Sequence, residues 1–278
     1  MGALEAIVLG IVQGLTEFLP ISSTAHLRIV PAFVGWPDPG AAFTAVTQLG
    51  TMAAVLLYFR ADLWRIARAW LLSLRDRALR SEPDARLGWY ILLGTIPIAV
   101  FGYAFKDQIE TGARNLYLIG TALIALGLVM AVADRIGTRT REVTDVKATD
   151  GAVIGVAQAM ALVPGVSRSG ATISAGLFRN FNRAAAARYS FLLSVPAVVL
   201  SGLLELRKIG DGGPGVAGPA ATTVATLTAF VVGYVSIAFL LRYLASHSTL
   251  VFVIYRVVLG SLVLGLVAGG VISATTTG

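Results

Sequence analysis

Six long apolar segments constrain the fold of this chain more than any other feature of its sequence. Each is close to the length that a helix needs to cross a bilayer, about 20 residues. They lie near residues 41–59, 87–105, 115–133, 186–206, 221–245 and 250–273. Hydrophobic residues make up 56% of the chain and charged residues only 13%, whereas soluble domains have roughly 25% charged residues. The sequence predicts an all-α polytopic membrane protein with one integral membrane domain over residues 1–278.

Two further apolar segments, near 3–35 and 150–183, are interrupted by polar residues, proline and glycine. Irregular backbone at membrane depth is tolerated only where protein buries it or where it lines a cavity. Each segment therefore predicts a re-entrant hairpin that enters and leaves on one side. The predicted fold class is six transmembrane helices plus two re-entrant helical hairpins.

Basic residues between the apolar segments predict the orientation of the chain. The connection from Arg60 to Arg86 carries seven arginines, and short loops rich in arginine and lysine stay in the cytoplasm. The first hairpin then opens toward the outer face. Because topology accounts for the net charge of +7, no nucleic-acid partner is predicted. The chain has no cysteine, which excludes disulfides and thiolate chemistry.

The two halves of the chain, approximately 1–140 and 150–278, share one plan, a broken hairpin followed by three spans. Three is odd, so the second half is inserted upside down and the sequence predicts an inverted repeat. L-G-I-V-Q-G at Leu9–Gly14 resembles I-G-V-A-Q-A at Ile154–Ala159, although chance similarity is the alternative. Interrupted helices of such repeats meet near the midplane and hold the substrate. One shared site is therefore expected.

The first interruption, Q-G-L-T-E-F-L-P-I-S-S-T-A-H, runs from Gln13 to His26. Gln13 and Glu17 are four residues apart and share a helix face. A carboxylate inside a membrane segment is expensive and marks function by default, although Glu17 at the interface would merely be solvated. Glu17 is therefore a candidate catalytic residue.

Hydroxyl residues follow the carboxylate and precede a helix start. They are Ser22, Ser23 and Thr24. Free amides at a helix start suit a phosphate. On that helix Ser23 and His26 can face one point, which supplies a hydroxyl to attack phosphorus and an imidazole to move its proton. Helix capping by the serines and a structural role for His26 are the alternatives.

The second interruption, V-P-G-V-S-R-S-G-A-T from Val163 to Thr172, displays Arg168 at another helix start, which Ser167 and Ser169 can cap. Its fork of donors suits bidentate contact with phosphate, whereas snorkelling to a lipid headgroup is the alternative. Two helix starts and one guanidinium make a diphosphate a reasonable substrate. The predicted substrate-binding residues are Ser22, Thr24, Gly165, Ser167, Ser169 and Gly170.

Two other polar residues lie within predicted spans. Gln48 in the first span can face the site. Arg256 in the last span is expected to pair with a carboxylate or to snorkel.

Together the two motifs resemble a known family. The stretch from Gln13 to His26 and P-G-V-S-R-S-G-A-T-I from Pro164 to Ile173 resemble the undecaprenyl-diphosphatase family, the bacterial membrane phosphatases associated with bacitracin resistance. The similarity in layout covers nearly the whole chain. It implies hydrolysis of undecaprenyl diphosphate to undecaprenyl phosphate and inorganic phosphate, which recycles the lipid carrier for peptidoglycan. It also implies the bacterial cytoplasmic (inner) membrane, a site open to the outer face, a divalent cation (Mg²⁺ or Ca²⁺) and a homodimer.

The resemblance also implies roles for individual residues. Glu17 matches the acidic residue that binds metal or positions the attacking group. Ser23 matches a proposed nucleophile, although an activated water is the alternative, and His26 matches the proton-transfer residue. Ser167 and Arg168 match the diphosphate-binding turn, and Arg168 completes the predicted catalytic set.

One position departs from the family pattern. Many members have Glu where this chain has Gln13, and an amide is a poorer ligand for a hard cation than a carboxylate. The predicted metal ligands are therefore Glu17 and, more weakly, Gln13.

Hydrolysis is the predicted activity, and a transporter or flippase for polyprenyl phosphate that uses the same headgroup site is the alternative.

Overall fold

The computed structural model describes residues 1–105, 108, 115–209 and 218–275, with the backbone alone at 41, 42 and 201–209. This part of the chain forms eleven α-helices and no strand. They are α1 (Ala3–Phe18), α2 (Ser23–Val34), α3 (Gly40–Tyr58), α4 (Arg60–Arg75), α5 (Pro83–Ala104), α6 (Leu116–Ile136), α7 (Ala148–Ala159), α8 (Arg168–Phe178), α9 (Arg183–Ile209), α10 (Pro219–Ser246) and α11 (Leu250–Ala268).

The six predicted spans coincide with α3, α5, α6, α9, α10 and α11. The last five of these are long and apolar enough to cross a membrane, whereas the apolar run in α3, Phe43–Tyr58, is shorter. The prediction of an all-helical, multi-pass membrane protein is thus confirmed.

Each interrupted segment forms two helices joined by a turn, which we call the first helix pair (α1 and α2) and the second helix pair (α7 and α8). In the first pair α1 ends at Phe18, and α2 begins after the N-cap residue Ser22. In the second, a 3₁₀ turn at Met160–Leu162 precedes the turn, and Ser167 is the N-cap of α8. Proline lies in both turns, where its missing N–H and fixed φ favour the end of a helix.

The arginine-rich connection between the first two spans is largely helical. It forms α4 and a 3₁₀ turn at Arg77–Ser81, directly before α5. Ile66 and Ser73 of α4 are buried, and a Cβ added to Gly88 of α5 would lie 2.9 Å from Trp70 Cβ. The sequence analysis assigned this connection only to the cytoplasmic side and missed its helix, because the charges obscured apolar positions three or four residues apart.

Glycines let several helix pairs approach closely. A Cβ at Gly10 of α1 would lie 2.5 Å from the Ala225 carbonyl oxygen of α10. A Cβ at Gly155 of α7 would lie 2.5 Å from the Gly94 carbonyl oxygen of α5. Small residues permit such backbone contact between membrane helices, where van der Waals packing rather than burial from water drives association. These contacts fix α1 against α10 and α7 against α5.

Two carboxylates tie helix ends together by ion pairs. Asp150 at the start of α7 accepts hydrogen bonds from Arg141 Nη2 (2.6 Å) and Arg179 Nε (2.6 Å). Burial would raise the pKa of Asp150, but the hydrogen bonds from the two arginines hold it below its usual value. Asp134 near the end of α6 accepts from Arg183 Nε (2.6 Å) at the start of α9. The ion pairs of Asp150 thus tie the start of α7 to Arg179, which directly follows α8.

Candidate active site

The turns of the two helix pairs share an uncommon backbone conformation. Ser22 has φ 76° and Ser167 has φ 70°, both in the left-handed region that residues with a Cβ seldom adopt. Ser22 Oγ accepts from the Ala25 amide (3.4 Å) and Ser167 Oγ from the Gly170 amide (3.1 Å). Capping by these two serines is confirmed. Each short helix thus begins at a capping serine whose backbone is held in a strained conformation.

The Glu17 carboxylate is the centre of the candidate site. Its Oε2 accepts hydrogen bonds from Ser23 Oγ (2.6 Å), Gln13 Nε2 (3.0 Å) and Gln48 Nε2 (3.5 Å). Its Oε1 accepts a hydrogen bond from Arg168 Nη2. The shared face of Gln13 and Glu17 and the inward direction of Gln48 are confirmed. Four helices, α1, α2, α3 and α8, therefore present donors to one acidic group.

The ion pair between Arg168 and Glu17 joins the two helix pairs. The Arg168 side chain is 14% exposed and that of Glu17 is 7% exposed. A guanidinium and a carboxylate taken out of water need each other and further hydrogen bonds to be stable. The two sequence interruptions thus meet at one place, and Arg168 is directed into the protein rather than toward a lipid headgroup.

The His26 ring makes no hydrogen bond with the Ser23 hydroxyl, although the sequence predicted that they face one point. Its Nδ1 lies 2.7 Å from the Ser22 carbonyl oxygen, and its Nε2 lies 2.7 Å from the Tyr255 hydroxyl. Ser23 instead donates to Glu17. Tyr255 belongs to α11 and was missed, because a lone tyrosine in an apolar helix gives no sequence signal.

Arg256 makes contacts that the sequence did not predict. Its side chain, 1% exposed, neither pairs with a carboxylate in the described part of the chain nor reaches a headgroup. Instead its guanidinium donates to five backbone carbonyl oxygens. They belong to Leu123 (3.1 Å), Pro20 (3.1 Å), Ala122 (3.3 Å), Gly165 (2.8 Å) and Val166 (3.2 Å). Since Pro20 lies in the first turn and Gly165 in the second, Arg256 holds both turns.

The remaining predicted hydroxyls border the same two turns. Thr24 Oγ1 lies 3.2 Å from Ser22 Oγ. Ser169 Oγ donates to the Leu19 carbonyl oxygen (3.3 Å) and lies 3.2 Å from Ser167 Oγ. Ser169 thus links the two turns and does not cap α8.

The two predicted glycines lie beside Arg256. Gly165 has φ 94°, and a Cβ there would lie 2.6 Å from the Ile119 carbonyl oxygen. A Cβ at Gly170 would lie 3.3 Å from Arg256 Nη1. Both positions are therefore constrained by packing, whatever their contact with substrate.

The chain is similar in sequence to the members of one known family. The family model described as bacitracin resistance protein BacA matches residues 6–262. The chain belongs to this family. It is 56% identical to the undecaprenyl-diphosphatase of Nocardioides sp., over 98% of both chains. It is 53% identical to the undecaprenyl-diphosphatase of Thermobifida fusca, over 98% of this chain and 93% of that one. It is 54% identical to undecaprenyl-diphosphatase 3 of Frankia alni, over 99% and 98%.

The family resemblance implies a divalent cation, which needs oxygen ligands from the residues of this site. Among the described residues, no group of three or more His, Cys, Asp or Glu side chains could hold a metal ion. Glu17 supplies one carboxylate, and the buried Oε1 of Gln13 has no hydrogen-bond partner in the described part of the chain. These oxygens fit a cation that takes its other ligands from substrate phosphate and water, as Mg²⁺ often does.

Proposed function

We propose that this protein hydrolyses undecaprenyl diphosphate to undecaprenyl phosphate and inorganic phosphate, and so recycles the lipid carrier for cell-wall synthesis. Relatives about half identical over nearly the full chain carry the name undecaprenyl-diphosphatase. The observation that carries the proposal is that the first residues of α2 and α8, Ser23 and Arg168, contact the same buried carboxylate. A hydroxyl, a base and a cation are the groups that displacement at phosphorus requires.

The first step is attack on the terminal phosphorus. Ser23 Oγ already donates a hydrogen bond to Glu17. We therefore assign to Glu17 the role of accepting the serine proton. The serine oxygen then forms a bond to the terminal phosphorus, and the bond from that phosphorus to the bridging oxygen breaks. Undecaprenyl phosphate leaves, and water attacks the phosphoserine to release inorganic phosphate. In the alternative, Glu17 accepts the proton of a water that attacks directly.

Arg168 changes partner when the substrate arrives. Its guanidinium pairs with Glu17 in the structure, and a phosphate offers the same fork a more highly charged bidentate partner. Transfer of Arg168 to the phosphate leaves the Glu17 carboxylate free to act as a base. Glu17 and Gln13 would hold the divalent cation, which when bound supplies further charge stabilisation to the phosphate oxygens.

The membrane arrangement belongs to the same proposal. We infer six transmembrane helices, two re-entrant hairpins and an inverted repeat, with the site open to the outer face of the cytoplasmic membrane. Equivalent residues support the repeat, because Gly10, Gln13 and Ser22 each have the same residue type 145 positions later. Homodimer formation is also proposed, from the family resemblance, and cross-linking in native membranes tests it.

Phosphate release from undecaprenyl diphosphate by the purified protein in detergent tests the function. We expect release that a chelator abolishes. Ser23→Ala, Glu17→Gln and Arg168→Ala should each lower the rate at least about 100-fold. Ser236→Ala is the matched control, because its buried hydroxyl donates only to the Val232 carbonyl oxygen of its own helix.

The outcomes separate the alternatives. A phosphorylated Ser23 trapped after acid quench would assign the serine as nucleophile, and a labelled oxygen from water found directly in phosphate without that intermediate would assign water. Tight binding of the lipid without phosphate release would contradict hydrolysis and favour headgroup binding for transport.

A further inference from the structure

A chain of hydrogen bonds leads from Tyr255 to the start of α2. The Tyr255 hydroxyl lies 2.7 Å from His26 Nε2, and His26 Nδ1 lies 2.7 Å from the Ser22 carbonyl oxygen. The two rings are stacked with centroids 5.6 Å apart and planes 9° apart. His26 is buried, whereas Tyr255 is 42% exposed. The mechanism above uses neither side chain.

These contacts select one tautomer of a neutral His26 ring. A carbonyl oxygen only accepts, so Nδ1 must carry the proton that goes to Ser22. Nε2 is then the acceptor, and the Tyr255 hydroxyl donates to it. Burial favours this uncharged form. With both nitrogens occupied, the ring cannot take the proton of Ser23.

The Ser22 carbonyl that accepts from His26 and the Ser23 amide belong to the same peptide bond. Ser23 is the first residue of α2, so its N–H has no partner within the helix, and it has none among the other described residues. A hydrogen bond to the carbonyl polarises the peptide and makes its N–H a stronger donor. The chain therefore ends at an amide that can bind phosphate.

The second helix pair provides an internal comparison. The position equivalent to His26, four residues after the capping serine, is Ala171, whose amide donates to the Ser167 carbonyl oxygen (2.9 Å). Ser167 nevertheless keeps φ 70°. An imidazole is thus not needed to form this kind of turn, and its presence beside Ser23 calls for another role.

We propose that Tyr255 is a positioning residue that acts through His26 to polarise the Ser22–Ser23 peptide and so strengthens phosphate binding at the Ser23 amide. The proposal rests on the proposed function in one respect, that the phosphate bound there is the substrate's. Tyr255 needs no contact with the lipid. Its hydroxyl is the first hydrogen-bond donor of the chain, and the Ser23 amide is the last donor, which binds the phosphate.

Two measurements on the intact protein in detergent test the proposed role of Tyr255. The ¹⁵N spectrum of histidine-labelled protein reports the tautomer, and His247→Gln assigns the signals because the chain has two histidines. We expect a proton on Nδ1 of His26 in the unmodified protein and a mixture of tautomers in Tyr255→Phe. The dissociation constant of inorganic phosphate should rise roughly 3- to 10-fold in Tyr255→Phe, as expected for one lost hydrogen bond.

Tyr117→Phe is the matched control, because Tyr117 is also half-exposed in a spanning helix and its hydroxyl has no partner among the described residues. It should change neither measurement. His26→Ala should weaken phosphate binding by a similar factor, and adding Tyr255→Phe to it should have no further effect, since Tyr255 acts through His26.

A His26 proton on Nε2 in the unmodified protein, or an equal effect of Tyr255→Phe with and without His26, would overturn the proposal. So would an unchanged phosphate dissociation constant in both single variants. Failure to release phosphate from the lipid, with these results as expected, would overturn the proposed hydrolysis alone.

Discussion

Ser22 and Ser167 lie 145 positions apart and adopt the same left-handed conformation as N-caps of α2 and α8. Each accepts a hydrogen bond from the amide three residues later. Gln13 and Gln158, nine residues before them, are both fully buried. The two turns are thus alike in backbone, whereas Glu17, Ser23 and His26 are found only in the first pair, and Arg168 only in the second.

The shared left-handed conformation predicts an unusual order of stability, in which replacing either serine by glycine costs less than replacing it by alanine. Ser22→Ala and Ser167→Ala lose the cap and keep the strain of a Cβ at positive φ, so the lost cap should cost about 0.5–2 kcal/mol in unfolding free energy. Ser22→Gly and Ser167→Gly lose the cap but relieve the strain, so they should cost only a few tenths. Thermal unfolding in detergent measures the order. Equal losses for alanine and glycine would contradict it.

Arg256 should be sensitive even to a conservative change. Lysine keeps the charge but presents its donors from one point and cannot reach five carbonyl oxygens. We expect Arg256→Lys to lower the unfolding free energy by about 3 kcal/mol or more, because several buried acceptors are left without donors. Arg68→Lys on the exposed face of α4 is the control and should stay within about 0.5 kcal/mol. A stable, active Arg256→Lys would refute the role given to these contacts.

Gln13 gives a prediction for the cation. Gln13→Glu adds a second carboxylate beside Glu17, so the divalent cation concentration that gives half-maximal phosphate release should fall. Gln158→Glu is the matched control, since Gln158 is equally buried and neither of its amide atoms has a partner in the described part of the chain. It should destabilise the protein without changing the cation dependence. Equal changes in cation dependence would remove Gln13 from the proposed ligands.

Gly155 and Gly265 predict different effects of the same substitution on stability. A Cβ at Gly155 would lie 2.5 Å from the Gly94 carbonyl oxygen, whereas a Cβ at Gly265 would have nothing within 4 Å. Gly155→Ala should force α5 and α7 apart and lower the melting temperature. Gly265→Ala should be neutral or raise stability by about 0.5–1 kcal/mol, the usual gain of alanine over glycine inside a helix. Melting in detergent compares the two.

Much of the candidate site could be predicted because its signals are local. Spacing of four residues placed Gln13 and Glu17 on one face, and a serine before a helix start predicted the caps at Ser22 and Ser167. The charge of Arg168 in an apolar stretch marked it as functional. Such signals depend on neighbouring residues only, so they survive without knowledge of the tertiary structure.

The contacts of Arg256 and His26 could not be predicted in the same way. Backbone carbonyl oxygens exist at every position, so a sequence does not show which of them a guanidinium will reach. Tyr255 and His26 meet across 229 positions, and nothing in either local pattern selects the other. The fold of the arginine-rich connection was missed for a different reason, since charge dominated a pattern that is also amphipathic.

The five carbonyl contacts of Arg256 have a consequence for biosynthesis. This arginine lies in α11, and it holds the turns of both helix pairs, which are made much earlier. Neither turn receives its final support until the ribosome has delivered α11 to the membrane. A nascent chain that stops before α11 would carry Glu17, Ser23 and Arg168 but would lack the clamp that orders them, so we expect enzyme activity to begin only after α11 has been made.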